Sequence, residues 1–260
     1  MSGPFVDHRD LPRLLFLSLA LALGGAGPSR AQDADCVLDH CADKAPAPER
    51  QAPAYELKQR GPEQSALERR RGRAGDFDFY VLALSWSPGF CELKGGDNQQ
   101  CEPGAGLGFV VHGLWPQYER GFPSDCPGPT APSRIALERA NGVFPSVGLA
   151  RYEWRKHGTC TGRSPSDYFA DVARAREGVV VPQPFEKPTA PQSFVPIDIQ
   201  RAFLAANPRL RPGMMAVGCR RGLLEDVKIC LSKDLREFRA CPEVVRSGCR
   251  AREISVPAPN

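Results

Sequence analysis

Ten cysteines, at positions 36, 41, 91, 101, 126, 160, 219, 230, 241 and 249, all lie beyond the first 31 residues of this 260-residue chain. Those 31 residues read as an export signal. Arg9 and Arg13 make a positive n-region, and Leu14 to Ala26 is an apolar run too short to span a bilayer. Ser29-Arg30-Ala31 fits the small-x-small cleavage pattern, which places the cut after Ala31. An even cysteine count behind such a signal predicts a disulfide framework formed in an oxidising compartment. Zinc is the competing use. It is disfavoured because no Cys-x-x-Cys pair occurs and the spacings suit neither a finger nor a ribbon. No other apolar run is long enough to cross a membrane. The expectation is a soluble protein, periplasmic or extracellular, without membrane contact.

Removal of three arginines and two aspartates with the signal lowers the net charge from +4 to about +3. That balance is not the signature of a tight non-specific nucleic-acid binder. Residues 32–75 read as a tail or linker. Ala45 to Ala54 is rich in Ala and Pro, and Arg69, Arg70, Arg71 and Arg73 close a charged run. Little in the tail is large and apolar, so the run is expected to be solvated. Residues 76–260 are long enough for one domain with its own core. Phe77 to Leu84 predicts a central strand, and Gly106 to Leu114 a second. Helices are predicted over 133–141, 149–157, 166–177 (capped by Ser166) and 198–206. Further strands are predicted over 214–219, 225–231 and 237–240. In the middle one, Asp226 and Lys228 alternate with Val227 and Ile229, so one face of the sheet is wetter. The elements do not alternate regularly, which favours α+β over α/β.

The only histidines past residue 40, His112 and His157, lie in two dense segments, HGLWPQY (112–118) and EWRKHGTC (153–160). Histidine gains and loses a proton near neutral pH, and a pair supplies a general acid and a general base. On a helix, Glu153, Lys156 and His157 fall at i, i+3 and i+4 and share one face, with Tyr152 at its edge. Helix dipole and Glu153 would both raise the pKa of His157. Trp115 offers a face on which any base stacks. Trp154 reads as ordinary core.

These two segments closely resemble the catalytic segments of the ribonuclease T2 family, a resemblance that covers Phe77 to the C-terminus. It implies an α+β fold with a central antiparallel sheet flanked by helices. It also implies metal-independent cleavage of single-stranded RNA, through a 2′,3′-cyclic phosphate to 3′-phosphate ends, with little base specificity and no cofactor. Carried over, His157 matches the general base and His112 the general acid. Glu153 and Lys156 match the residues that hold the phosphate. Trp115, Gln117 and Phe122 match the base site. Many members carry a histidine where this chain has Tyr152, which donates a hydrogen bond but carries no charge. The resemblance further implies bridges Cys126–Cys160, Cys219–Cys249, Cys230–Cys241 and Cys91–Cys101, leaving Cys36 with Cys41. The chain is expected to act as a monomer.

Three rival readings are weaker. A metal-dependent nuclease needs several carboxylates beside the histidines, and only Glu153 sits in a motif. A cysteine hydrolase built on Cys160 and His157 competes with a disulfide for Cys160. A catalytically silent binding protein would be expected to lack a histidine or Lys156.

Overall fold

The computed structural model describes residues 72–95 and 98–259; the export signal, most of the 32–75 segment and the Cys36–Cys41 pair lie outside them. Every described residue belongs to one compact unit.

Strand β1 (Phe79–Trp86) is buried along its whole length, as its run of large apolar residues requires. It pairs antiparallel with β2 (Phe109–Gln117) on one side and with β5 (Leu223–Ser232) on the other. Strand β4 (Met215–Arg220) also pairs antiparallel with β5. Two short strands, β3 (Gln192–Phe194) and β6 (Ile254–Val256), complete a six-stranded sheet. The β5–β6 pairing is parallel, through Leu223 and Ser255, so the sheet is antiparallel at its centre and mixed at its margin.

Parity divides the two sheet faces. Tyr80, Leu82, Leu84 and Trp86 of β1 join Val111, Leu114, Val227 and Ile229 in the main core. Against that face pack α3 (Val147–Lys156), α4 (Pro165–Glu177) and α5 (Pro196–Ala206), which contribute Trp154, Tyr168, Phe169, Ile199 and Phe203. Burying a side chain of this size is worth about 1.5–3 kcal/mol. The opposite face has only a small cluster, Phe79, Val81, Cys230 and Cys241. It is completed by Trp115 and by Val244 of the short helix α6 (Pro242–Arg246). This thinner face carries Ser85, Asp226 and Lys228, the wetter side predicted from alternation in β5.

Helices α1 (Ser87–Lys94) and α2 (Arg134–Glu138) close the remaining sides. Among the described residues, four bridges join Cys91–Cys101, Cys126–Cys160, Cys219–Cys249 and Cys230–Cys241.

Three local expectations are corrected. Helix α4 is capped by Ser164, whose hydroxyl accepts from the Asp167 N–H at 3.2 Å. Pro165 takes the first helical position, where its missing N–H costs nothing, so Ser166 is already inside the helix. Helix α3 starts two residues early because Ser146 caps it through the Leu149 N–H at 3.2 Å. Residues 237–240 make a single bridge, Phe238 to Leu231, rather than a strand. The chain there turns tightly after Ser232 and is drawn off to Cys241, which bonds back to Cys230.

Candidate active site

His112 is brought to the open sheet face by a register shift. Ala83 pairs with Gly113 and Leu84 with Val111, so His112 is the extra residue of a β-bulge. A bulge re-aims a side chain that regular alternation would send elsewhere. The ring is then held on both sides. Nδ1 lies 3.2 Å from the Ser85 hydroxyl, and Nε2 lies 3.6 Å from Glu153 Oε1. Burial is the largest influence on this histidine and lowers its pKa below 6.5. Lys228 adds to that shift and Asp226 opposes it.

Glu153 projects from α3 under the floor of β2 and is 1 % exposed. Its Oε2 accepts the Trp115 indole N–H at 2.7 Å. Burial raises this carboxyl from 4.5 to about 8, against the smaller lowering effect of the indole bond. The close approach depends on Gly113. A Cβ there would sit 2.1 Å from Glu153 Oε2 and 2.4 Å from the Trp115 nitrogen.

His157 ends α3 rather than extending it. Its backbone, at φ −124° and ψ −41°, leaves the helical range, while its N–H still donates to Glu153 O at 2.9 Å. The expected rise in its pKa is reversed. Burial is the main cause, Lys156 and His112 add to it, and together they push the imidazole down to about 3. The helix dipole acts on an exposed charge, whereas this ring is desolvated beside another cation. Its Nδ1 is buried without a partner among the described residues.

Lys156 meets Asp125 at 2.6 Å. Asp125 belongs to the Phe122–Cys126 stretch between the two segments. Its N–H also donates to Lys156 O at 2.8 Å. The lysine holds the Asp125 carboxyl below its ordinary value, against a desolvation effect of the opposite sign.

A cavity of about 400 Å³ opens in front of these groups, lined by Val81, Trp115, Gln117, Phe122, Lys156 and His157 on one side. Lys228, Glu243, Val244 and Ser247 form the other side. The Trp115 ring centre lies 5.2 Å from that of His112 and 5.4 Å from that of His157. Phe122 is 55 % exposed and lies 6.3 Å from His157. Trp154 is core, its indole N–H bound to Pro129 O at 2.8 Å.

The structure thus gathers His112, Glu153, Lys156, His157, Trp115, Gln117 and Phe122 into one site. It leaves Tyr152 outside the cavity lining, 45 % exposed with Arg155 over its ring. Ser85, Asp125, Asp226, Lys228 and Glu243 were not singled out from the sequence. Only the Asp226–Lys228 alternation signalled any of them. Among the described residues no group of three or more His, Cys, Asp or Glu side chains converges on a possible metal position.

Residues 77–241 match the model of the ribonuclease T2 family. The chain is 37 % identical over 181 residues to a ribonuclease of Aeromonas hydrophila, covering 69 % of this chain and 83 % of that protein. Its fold is similar to that of an RNase-related protein from Calystegia sepium, with a TM-score of 0.56 and 23 % identity, covering 71 % and 98 % of the two chains. It is also similar to the structure of RNase NT in complex with 5′-AMP, with a TM-score of 0.52 and 22 % identity over 70 % and 99 % of the two chains. With the family model matched across both histidine segments and most of the domain, the chain belongs to the ribonuclease T2 family.

Proposed function

We propose that this endoribonuclease is exported, acts as a monomer, and cleaves single-stranded RNA without a metal by two-histidine transphosphorylation. The observation that carries the reading is that both histidine rings pack against the single indole of Trp115, whose N–H binds a buried carboxyl 3.6 Å from His112, with a lysine lining the cavity.

Burial keeps His157 neutral at working pH, the state a general base requires. It takes the ribose 2′-OH proton as the oxygen attacks the adjacent phosphorus. The bond from phosphorus to the 5′-oxygen breaks, and that oxygen receives the proton of His112. A 2′,3′-cyclic phosphate results. Water then opens the ring to a 3′-phosphate, with the two histidines exchanging roles. Lys156 retains two N–H donors beyond its bond to Asp125 and places positive charge where negative charge grows on phosphorus. Glu153, protonated up to about pH 8, is a neutral O–H donor rather than a repelling anion. An ionised carboxylate there would repel the phosphate; the neutral acid does not.

Trp115 and Phe122 offer faces on which every base stacks, so all four bases are accepted. A nucleotide bound in the RNase NT structure is consistent with such a site. Four disulfides among the described residues suit an oxidising compartment, as the 1–31 signal implies.

The test is RNA digestion in excess EDTA by the oxidised protein, with its His112→Ala and His157→Ala variants. Cleavage leaving 2′,3′-cyclic or 3′-phosphate ends, lost in either variant, is expected. Activity that persists in both, or that EDTA abolishes, overturns the reading.

A further inference from the structure

The cavity has a wall that neither histidine segment supplies. Helix α6 contributes Glu243 and Val244, and Ser247 just past its end completes the wall, in the cavity that Trp115, Gln117 and Phe122 also line. Glu243 does two things there. Its Oε1 accepts the Gly121 N–H at 3.0 Å and so fixes the turn that carries Phe122. That turn closes on itself through the Tyr118 N–H to Gly121 O at 2.9 Å, with Gly121 at φ +78°. Glu243 also leaves acceptor positions on its carboxylate facing the cavity, since a carboxylate has about four lone-pair sites and this bond uses one.

The two lysines that share the cavity are engaged elsewhere. Lys156 is held by Asp125, and Lys228 by both oxygens of Asp226. Gln117 directs one amide N–H to Pro116 O at 3.1 Å. The Glu243 carboxylate is therefore the principal anionic acceptor of the pocket. It is also firmly placed. Two residues earlier, Cys241 is bonded to Cys230 of β5, and its N–H donates to Gly213 O at 3.0 Å.

We infer that Glu243 is a specificity-determining residue that ranks the bases at the cleaved position, favouring guanine. The inference rests on the proposed reaction, in which His157 takes the 2′-OH proton. His157 lines the cavity and His112 does not, so the base held there belongs to the nucleotide whose 2′-OH attacks. A base stacked between Trp115 and Phe122 turns its hydrogen-bonding edge to α6. Guanine presents two adjacent donors, N1–H and the exocyclic amine, which a carboxylate accepts together. Adenine and cytosine present one amine beside an acceptor nitrogen. Uracil presents one N–H flanked by two carbonyls that oppose the carboxylate. All four bases are cleaved, guanine fastest, and uracil slowest by about tenfold or more, as a paired-donor contact predicts.

The experiment compares wild type, Glu243→Gln and Glu243→Ala on GpC, ApC, CpC and UpC in EDTA. Affinities for guanosine and uridine 3′-monophosphates are measured in parallel by tryptophan fluorescence. Wild type is expected to prefer guanine in both readouts. Glu243→Gln retains an acceptor for the Gly121 N–H but presents an amide matched to uracil, so the guanine-to-uracil ratio falls about tenfold or inverts. Glu243→Ala loses the ranking and raises KM for all four substrates, because Phe122 is no longer pinned. Cleavage with no guanine preference, or a ratio unchanged in Glu243→Gln, overturns the inference while leaving the reaction intact. Absence of cleavage overturns the proposed reaction, and the mononucleotide affinities then decide the role of Glu243 separately.

Discussion

Replacing Glu153 with glutamine is expected to stabilise the fold at alkaline pH and to leave it nearly unchanged at acid pH. The carboxyl is 1 % exposed, so its titration is governed by desolvation rather than by solvent-screened pairing. In the unfolded chain it ionises near 4.5; in the fold it keeps its proton up to about 8. Between those values the unfolded state has released a proton that the folded state retains, so stability falls as pH rises through the window. The contribution is fully present below 4.5 and is lost above about 8. At about 1.4 kcal/mol per pH unit, the loss is at most on the order of 5 kcal/mol. Glutamine does not ionise, and its amide oxygen still accepts the Trp115 indole N–H.

The assay is urea unfolding with disulfides intact at pH 4, 6 and 8.5, wild type against Glu153→Gln. Other titrating groups largely cancel in the difference. The advantage of the variant is expected near zero at pH 4, intermediate at pH 6, and a few kcal/mol at pH 8.5. A difference that is flat with pH, or that grows in favour of wild type as pH rises, refutes the argument that burial holds this carboxyl protonated.

The pH dependence of kcat/KM is expected to be bell-shaped with its maximum below 6.5. His157 is neutral above about 3, and His112 is protonated only below a pKa that burial holds under 6.5. Initial rates from pH 3 to 9 check this, and a maximum at pH 7 or above contradicts it. Gly113→Ala is expected to lower kcat by about a hundredfold or more, because the new methyl displaces Glu153 from the Trp115 indole; activity within a fewfold of wild type, with a normal fold by circular dichroism, contradicts it. The double substitution Cys126→Ala, Cys160→Ala opens a loop of 34 residues and is expected to cost about 3–4 kcal/mol in urea unfolding. A loss under about 1 kcal/mol would show that packing of the buried Cys160 region, not the covalent bridge, sets stability there.

What was legible in the sequence is what depends on local pattern. Apolar runs marked β1 and β2, alternation marked the wet face of β5, and the two histidine segments marked the site. The short elements α1, α6, β3 and β6 were not legible, since three to eight residues carry too little periodicity to separate helix from strand. The direction of the His157 shift was misread for a related reason. From sequence, Glu153 and the helix dipole were visible as neighbours at known spacing. Burial of the ring was not, because it depends on Trp115 from β2 and on the way α3 meets the sheet. Asp125 and Glu243 were missed because each reaches the site from a segment with no signal of its own; Asp226 was marked only as part of the wet face of β5. Sequence spacing reports contacts along one element, whereas this site is assembled from β1, β2, β5, α3 and α6.

That assembly explains why the two histidines differ. His157 leaves the end of a helix, desolvated and beside the Lys156 charge, and these outweigh Asp125, which alone favours its charged form. His112 stands on a bulge between the Ser85 hydroxyl and the Glu153 carboxyl, with Asp226 drawing its pKa upward against burial. Both imidazoles are thus held below their ordinary pKa, His157 the further of the two, and among the described residues only His112 has a carboxyl within 4 Å of its ring. The difference comes from backbone placement: the end of α3 at Lys156 and a register shift of one residue in β2. Deleting Val111 would return β2 to regular alternation, pair His112 with Leu84 and carry its ring toward the main core. The placement of His112 beside the cavity therefore depends on an irregularity in the sheet as much as on the identity of the residue.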